Sequence, residues 1–312
     1  MTWVSWRLHR TQLLIAGAFA VAVVGTMSAT GTSGAWVQED GLRAQVIVTL
    51  YALPVVAGII MGTTVTARER ERLTNRLAWT QGISRTRWLV SSLWPVALAG
   101  AVGVGAVSAV ATWWVDAVHL GTRIQPTSFD ISGVVPVAYF LGALALGVLA
   151  GSVLRNEGLA GAVAVVATVA SRVVVGSDVR AHLAPVRHQA LATAPPFDLG
   201  PIWSAVPGTA TLQDSWVVAQ GFVPVGRTSP VPGHPWLQVN VLYDRCPSVT
   251  QAAQVSRDWV RECAGSLHLH YVAAYQPLGH YWVLQLGEAG IFVAGAALAV
   301  GLAVLLLRRS SE

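Results

Sequence analysis

Apolar residues run along this chain in blocks long enough to cross a membrane, separated by short polar segments. A hydrocarbon layer about 30 Å thick needs a helix of about 20 apolar residues. Charge-free stretches of that order cover 11–38, 44–67, 88–115, 131–154 and 289–307, and a shorter one over 158–171 closes at Arg172. The first is trimmed to 13–29, because Thr30, Gly31, Thr32, Ser33 and Gly34 are loop chemistry. The short block reaches Val175 if Arg172 snorkels to the interface, since an Arg at a span centre costs about 2.5–3.5 kcal/mol on insertion. The pattern predicts an all-α polytopic membrane protein with six transmembrane helices.

Between the fifth and sixth spans, residues 176–287 change character, with frequent Pro, scattered Asp and Arg and both cysteines. Leu237, Val239, Val241 and Tyr243 alternate as one strand face, and Leu267, Leu269 and Tyr271 as another. Ser248 with Gln251 starts a helix by a capping box, with Val249, Ala252, Ala253, Val260 and Cys263 on one side. The segment is predicted to be a mixed α/β domain inserted between helices five and six. Its first half, with Pro185, Pro195, Pro196, Pro201 and Pro207, shows no periodicity. At the start, Trp3, Trp6, Arg7 and Arg10 suit an interfacial amphipathic helix over 1–12, and a cleaved signal peptide is the competing reading.

Composition sharpens this picture. The 312 residues are 54% hydrophobic and 11% charged, where a soluble domain has roughly 25% charged residues. All 20 basic residues are Arg. Without Lys the chain can form neither a phosphate-cradling G-x-x-x-x-G-K-[ST] loop nor a Schiff base, so any ATP is hydrolysed by another chain. The net charge of +5 is not gathered into a stripe, which argues against nucleic acid.

The Arg residues instead report orientation. A cytoplasmic N-terminus puts Arg7, Arg10, Arg68, Arg70, Arg72, Arg76, Arg85, Arg87, Arg155, Arg308 and Arg309 inside. The short outer loops then hold only Arg43 and Arg123. Both termini are expected in the cytoplasm and 176–287 outside, in a multi-pass plasma-membrane protein. There a disulfide between Cys246 and Cys263 is expected, the alternative being two unrelated thiols.

No catalytic motif is present, neither H-E-x-x-H nor G-x-S-x-G, and the chain reads as no enzyme. His268 and His270 would share a strand face, but without a neighbouring carboxylate or thiolate cluster a surface strand is the ordinary explanation, and no metal site is assigned. Glu288, at the outer mouth of span six, is a candidate external gate as a charge beside apolar surface. At a helix N-terminus it is also simply well placed against the dipole, the ordinary explanation. The loop over 67–87, A-R-E-R-E-R-L-T-N-R-L-A-W-T-Q-G-I-S-R-T-R, sets Leu73 and Leu77 on an apolar ridge inside a charged collar. Such a helix docks into a groove on a cytoplasmic partner or rests on the membrane surface.

That loop, the opening M-T-W-V-S-W-R-L-H-R, the span-four run F-D-I-S-G-V-V-P-V-A-Y-F-L-G-A-L-A-L-G-V-L-A-G-S-V-L-R, and Y-Q-P-L-G-H-Y-W-V-L-Q-L-G-E before span six resemble actinobacterial permease subunits of type-2 ABC transporters. The wider family often reads acidic residue, Gly-Thr, a Leu-rich helix, then Ser-Arg. Here stand Glu71, Leu73-Thr74, Leu77 and Ser84-Arg85, with Leu73 in place of the Gly. The resemblance implies a six-span exporter subunit whose loop receives the stroke of a separate ATP-binding subunit through Glu69, Glu71, Arg72, Arg76 and Leu77. ATP and Mg would be bound by that partner, with no cofactor in this chain. A second permease subunit, identical or different, would complete the transporter. The rival reading is a non-transporting receptor or immunity protein whose external domain binds a ligand.

Overall fold

The structure is a computed structural model that describes residues 23–28, 40–68, 85–118, 122–154, 156–191, 212, 214–229, 236–237, 242, 245–246 and 257–309. The chain divides into two compact units, one of residues 1–120, 127–180 and 284–312, the other of residues 121–126 and 181–283.

The first unit is helical. Its main elements are α1 (Asp40–Thr63), followed by a π turn (Thr64–Arg68), α2 (Arg85–Ala117), the short α3 (Pro126–Ile131), α4 (Val135–Val153), α5 (Glu157–Val174) and α7 (Tyr281–Arg309), which enters the unit at Leu284. A second π turn (Val175–Val179) and a 3-10 turn (Arg180–His182) prolong α5. Five helices among the described residues are long and apolar enough to cross a membrane. Most of the first expected span, 13–29, lies outside the described residues.

Helix α4 is the central one, with 78% of its most apolar stretch buried against 22% for α5 and for α7. Its neighbours approach closely because small residues face it. A Cβ on Gly58 of α1 would lie 2.6 Å from the Phe140 carbonyl oxygen, and one on Gly62 would collide with the Leu144 carbonyl. Gly147 of α4 faces Gly62 in return. Small residues at such crossings let backbones touch, so that dispersion contacts and side-chain hydrogen bonds hold helices together where lipid supplies no hydrophobic drive. Thr66 Oγ1 adds one such bond, donated to the Val148 carbonyl at 3.2 Å. Ala160 and Ala164 of α5 fit against Val55, Ile59, Ala143 and Ala150 in the same way.

The expected span over 131–154 is helical from Val135 to Val153, and a break over residues 132–134 separates it from α3. Gly133 has φ 71°, a left-handed conformation that glycine adopts freely, and the chain re-enters helix at Val135 with Pro136 in the first turn. A break in an apolar setting leaves backbone donors and acceptors that must find partners. Here side chains supply them. Ser108 Oγ donates to the Gly133 carbonyl at 2.6 Å, and Gly133 N donates to Thr112 Oγ1 at 3.1 Å.

The second unit is built on an antiparallel sheet of β1 (Arg187–Leu191), β2 (Ser215–Pro224) and β3 (Leu269–Pro277) in the order β1-β3-β2. The register pairs Arg187 with Tyr275 on one side of β3 and Phe222 with Tyr271 on the other. Helix α6 (Arg257–Ser266) contributes Cys263 and Ala264 to a core with Leu191, Leu212, Phe222, Leu242 and Tyr271. Burial pushes the Tyr271 hydroxyl up to about 12. Of the strand expected over 237–243, Leu237 bridges to Phe222 and Leu242 is helical and fills the core, while Val239, Val241 and Tyr243 lie outside the described residues. The strand expected from Leu267 starts at Leu269, because His268 has φ 52° and the chain turns there.

Candidate functional site: a buried ionic cluster

Glu288 does not sit at a helix N-terminus, contrary to expectation. Helix α7 begins at Tyr281, two turns earlier, so the dipole does not account for the carboxylate. Glu288 is fully buried within the helical unit, where an unpaired charge would be severely destabilising. Its partner is Arg180. The guanidinium donates through Nε to Oε2 at 2.6 Å and through Nη2 to Oε1 at 3.0 Å, the two-point geometry that makes arginine pairs strong. Tyr139 Oη of α4 donates to Glu288 Oε1 at 2.6 Å.

The π turn at Val175–Val179 explains how Arg180 reaches this position. At 3.6 residues per turn each residue rotates a helix by about 100°, so eight residues of regular helix would leave Arg180 about 80° from Arg172. A π turn takes up one extra residue and returns about 100° of that rotation, bringing the two arginines to one side.

Asp130, on α3, joins them. It accepts a hydrogen bond from Arg180 Nη2, has Tyr139 Oη 3.2 Å away, and lies 3.6 Å from Arg172 Nη2. Burial pushes the Asp130 carboxyl above its ordinary range, opposed by the nearby Arg180 and Arg172 guanidiniums and reinforced by Glu288. Arg172 does not snorkel. Its Nη1 donates to the Tyr51 carbonyl at 3.0 Å, and its guanidinium lies 4.1 Å from the Tyr139 ring centre and 5.3 Å from that of Tyr51. An aromatic face and a backbone carbonyl replace water around the cation. Two guanidiniums and two carboxylates leave the cluster neutral.

One turn before Glu288, Gln285 carries out a related task that the sequence reading missed. Its Oε1 accepts from Val134 N and Val135 N, each at 3.0 Å, at the start of α4. Its Nε2 donates to the Phe129 and Ser132 carbonyls at 3.1 and 3.2 Å, at the end of α3. Both sides of the break between α3 and α4 are thus capped from α7. Phe292, one turn beyond Glu288, meets Tyr139 edge to face with centroids 4.8 Å apart. A polar signal was available in the sequence. Gln285 and Glu288 are three apart in an otherwise apolar helix and therefore share a face.

The other expected site residues are placed as follows. Glu69, Glu71, Arg72, Arg76 and Leu77 of the coupling loop lie outside the described residues. Cys246 and Cys263 are joined by a disulfide with Cα atoms 6.1 Å apart, in the second unit. His268 precedes the strand that holds His270, so the two do not share a strand face.

Residues 32–180 match the model of a family described as ABC-2 membrane transporter related. This ABC-2 related region takes in four of the five long apolar helices, the loop over 67–87 and three of the four charged members of the cluster, ending at Arg180. It supports the resemblance to type-2 ABC permeases and, at the coarse level, a membrane transport component. Glu288 lies beyond the matched region. Neither the comparison with curated proteins nor that with solved structures gave a match.

Proposed function

We propose that the chain is the membrane-spanning permease subunit of an ABC exporter, driven by a separate ATP-binding subunit docked on the loop over 67–87. The observation that carries this reading is the ABC-2 related match, which brackets that loop between two membrane-length helices. The complete absence of Lys supports an ATPase in trans, with ATP and Mg held by that partner. Glu69, Glu71, Arg72, Arg76 and Leu77 would take the stroke, and a second permease subunit would complete the pathway.

Several features favour the proposed placement. Exposed Trp94 and Trp113 on α2 are 19 residues apart, about 28 Å along a helix, the spacing of two aromatic belts. The distribution of Arg favours cytoplasmic termini, and the disulfide favours an extracytoplasmic location for 176–287. In this orientation the cluster lies near the outer mouth. Glu288, clamped by Arg180, acts as an external gate that is closed in this arrangement. ATP binding moves the coupling helices and shifts the permease between inward-open and outward-open forms.

The test is affinity purification of the tagged chain from its native membranes. Co-purification of an ATP-binding subunit in stoichiometric amount is the expected result. Recovery of the intact chain without one contradicts the proposal and leaves the receptor reading in its place.

A further inference from the structure

We propose that Arg172 and Arg180 form an anion-binding site that Asp130 occupies as an intramolecular stand-in, and that the natural ligand carries a carboxylate or phosphate group. Arg180 already has a two-point partner in Glu288, at 2.6 and 3.0 Å. Arg172 is fixed by the Tyr51 carbonyl and the Tyr139 and Tyr51 rings, none of which carries a formal charge. Both guanidiniums therefore have positioning contacts that do not involve Asp130.

Asp130 is the member best able to leave. Its side chain is 16% exposed where that of Glu288 is 0%; its contact with Arg172 is a loose 3.6 Å, and its one close ion pair, with Arg180 Nη2, is a single-point contact where Glu288 holds Arg180 at two. It sits on a helix of six residues that ends beside the break at Gly133, whereas Glu288 lies within a helix of 29 residues. Withdrawal of Asp130 leaves a net positive charge between two forked donors. Carboxylate and phosphate oxygens are the groups that match such a pair. Among the described residues, the charged groups at this position are Asp130, Arg172, Arg180 and Glu288, with the Tyr139 hydroxyl lying between the two acids.

This site rests on the permease reading only for the view that its ligand is cargo; binding itself needs no ATPase. The test therefore uses the purified full chain in neutral detergent, without partner. Thermal unfolding is followed against increasing inorganic phosphate and, separately, against phosphatidylglycerol in the micelle. Asp130→Asn is expected to reach half-maximal stabilisation at a concentration about tenfold or more below that of the wild type. The charge-balanced Asp130→Asn/Arg172→Gln protein is expected to lose that gain. If Asp130→Asn does not fold, wild type and Arg172→Gln decide, with a rise of about tenfold or more expected for Arg172→Gln. A response to phosphate assigns a soluble anion, and a response to the lipid alone assigns a lipid headgroup. The same concentration dependence in all the proteins, or no response in any, overturns the proposal.

Discussion

Arg180 and Glu288 are 108 residues apart in sequence, yet the Arg180 guanidinium donates two hydrogen bonds to the Glu288 carboxylate inside the helical unit. A buried pair of this kind contributes little over a well-packed apolar pair, but loss of one partner strands a charge at about 3–5 kcal/mol. Arg180→Met and Glu288→Met are each expected to lower the thermal unfolding midpoint in detergent strongly. The double variant Arg180→Met/Glu288→Met should recover part of the loss, since neither charge is stranded against the other. Additive losses in the double variant would show that the two residues act independently.

Gln285 caps the break between α3 and α4 from both sides. Gln285→Leu keeps much of the volume but leaves two backbone N–H groups and two carbonyls short of a partner, at about 1–3 kcal/mol for each group left unsatisfied. The expected result is a loss of at least about 2 kcal/mol, with faster hydrogen exchange at Val134 and Val135. Unchanged exchange there would mean that Gln285 is not what holds the break.

Close helix contact gives a prediction with an internal control. Gly62→Ala places a methyl group against the Leu144 carbonyl and should destabilise by about 1–3 kcal/mol as α1 is pushed from α4. Gly103→Ala on α2 meets nothing within 4 Å and should be neutral or stabilising by about 0.5–1 kcal/mol. Equal effects of the two changes, measured as unfolding midpoints, would contradict the assigned packing.

For the second unit, thiol labelling of folded protein without reductant should modify neither Cys246 nor Cys263. Reduction opens a loop whose closure contributes about 3 kcal/mol in the chain-entropy model, so the unit should become sensitive to protease. Free thiols in the folded, unreduced protein would refute the bridge.

The apolar blocks were readable because membrane-crossing length is a local property, recorded in the composition of some twenty consecutive residues. What the sequence withheld was long-range or rotational. Arg172 read as a snorkelling residue because nothing local reveals that Tyr51 and Tyr139 stand beside it. Glu288 read as a helix-end charge because its apolar block starts at Ala289, whereas the helix starts at Tyr281. The Ser132-Gly133 break was hidden inside one apolar run, since its polar caps come from Ser108, Thr112 and Gln285 on other helices. Strands β1 and β2 flank a proline-rich stretch and were not foreseen. Their pairing is set by β3, 45 to 62 residues further along the chain for β2 and 80 to 88 for β1.

ATP hydrolysis by the affinity-purified complex in lipid nanodiscs decides whether a separate ATPase works this permease. Hydrolysis is expected to co-purify with the tagged chain and to fall to background in Leu77→Asp and Glu71→Arg variants that still insert in the membrane at normal levels. ATP hydrolysis that is absent from the wild-type preparation, or that persists unchanged with coupled transport in both loop variants, would contradict the permease reading.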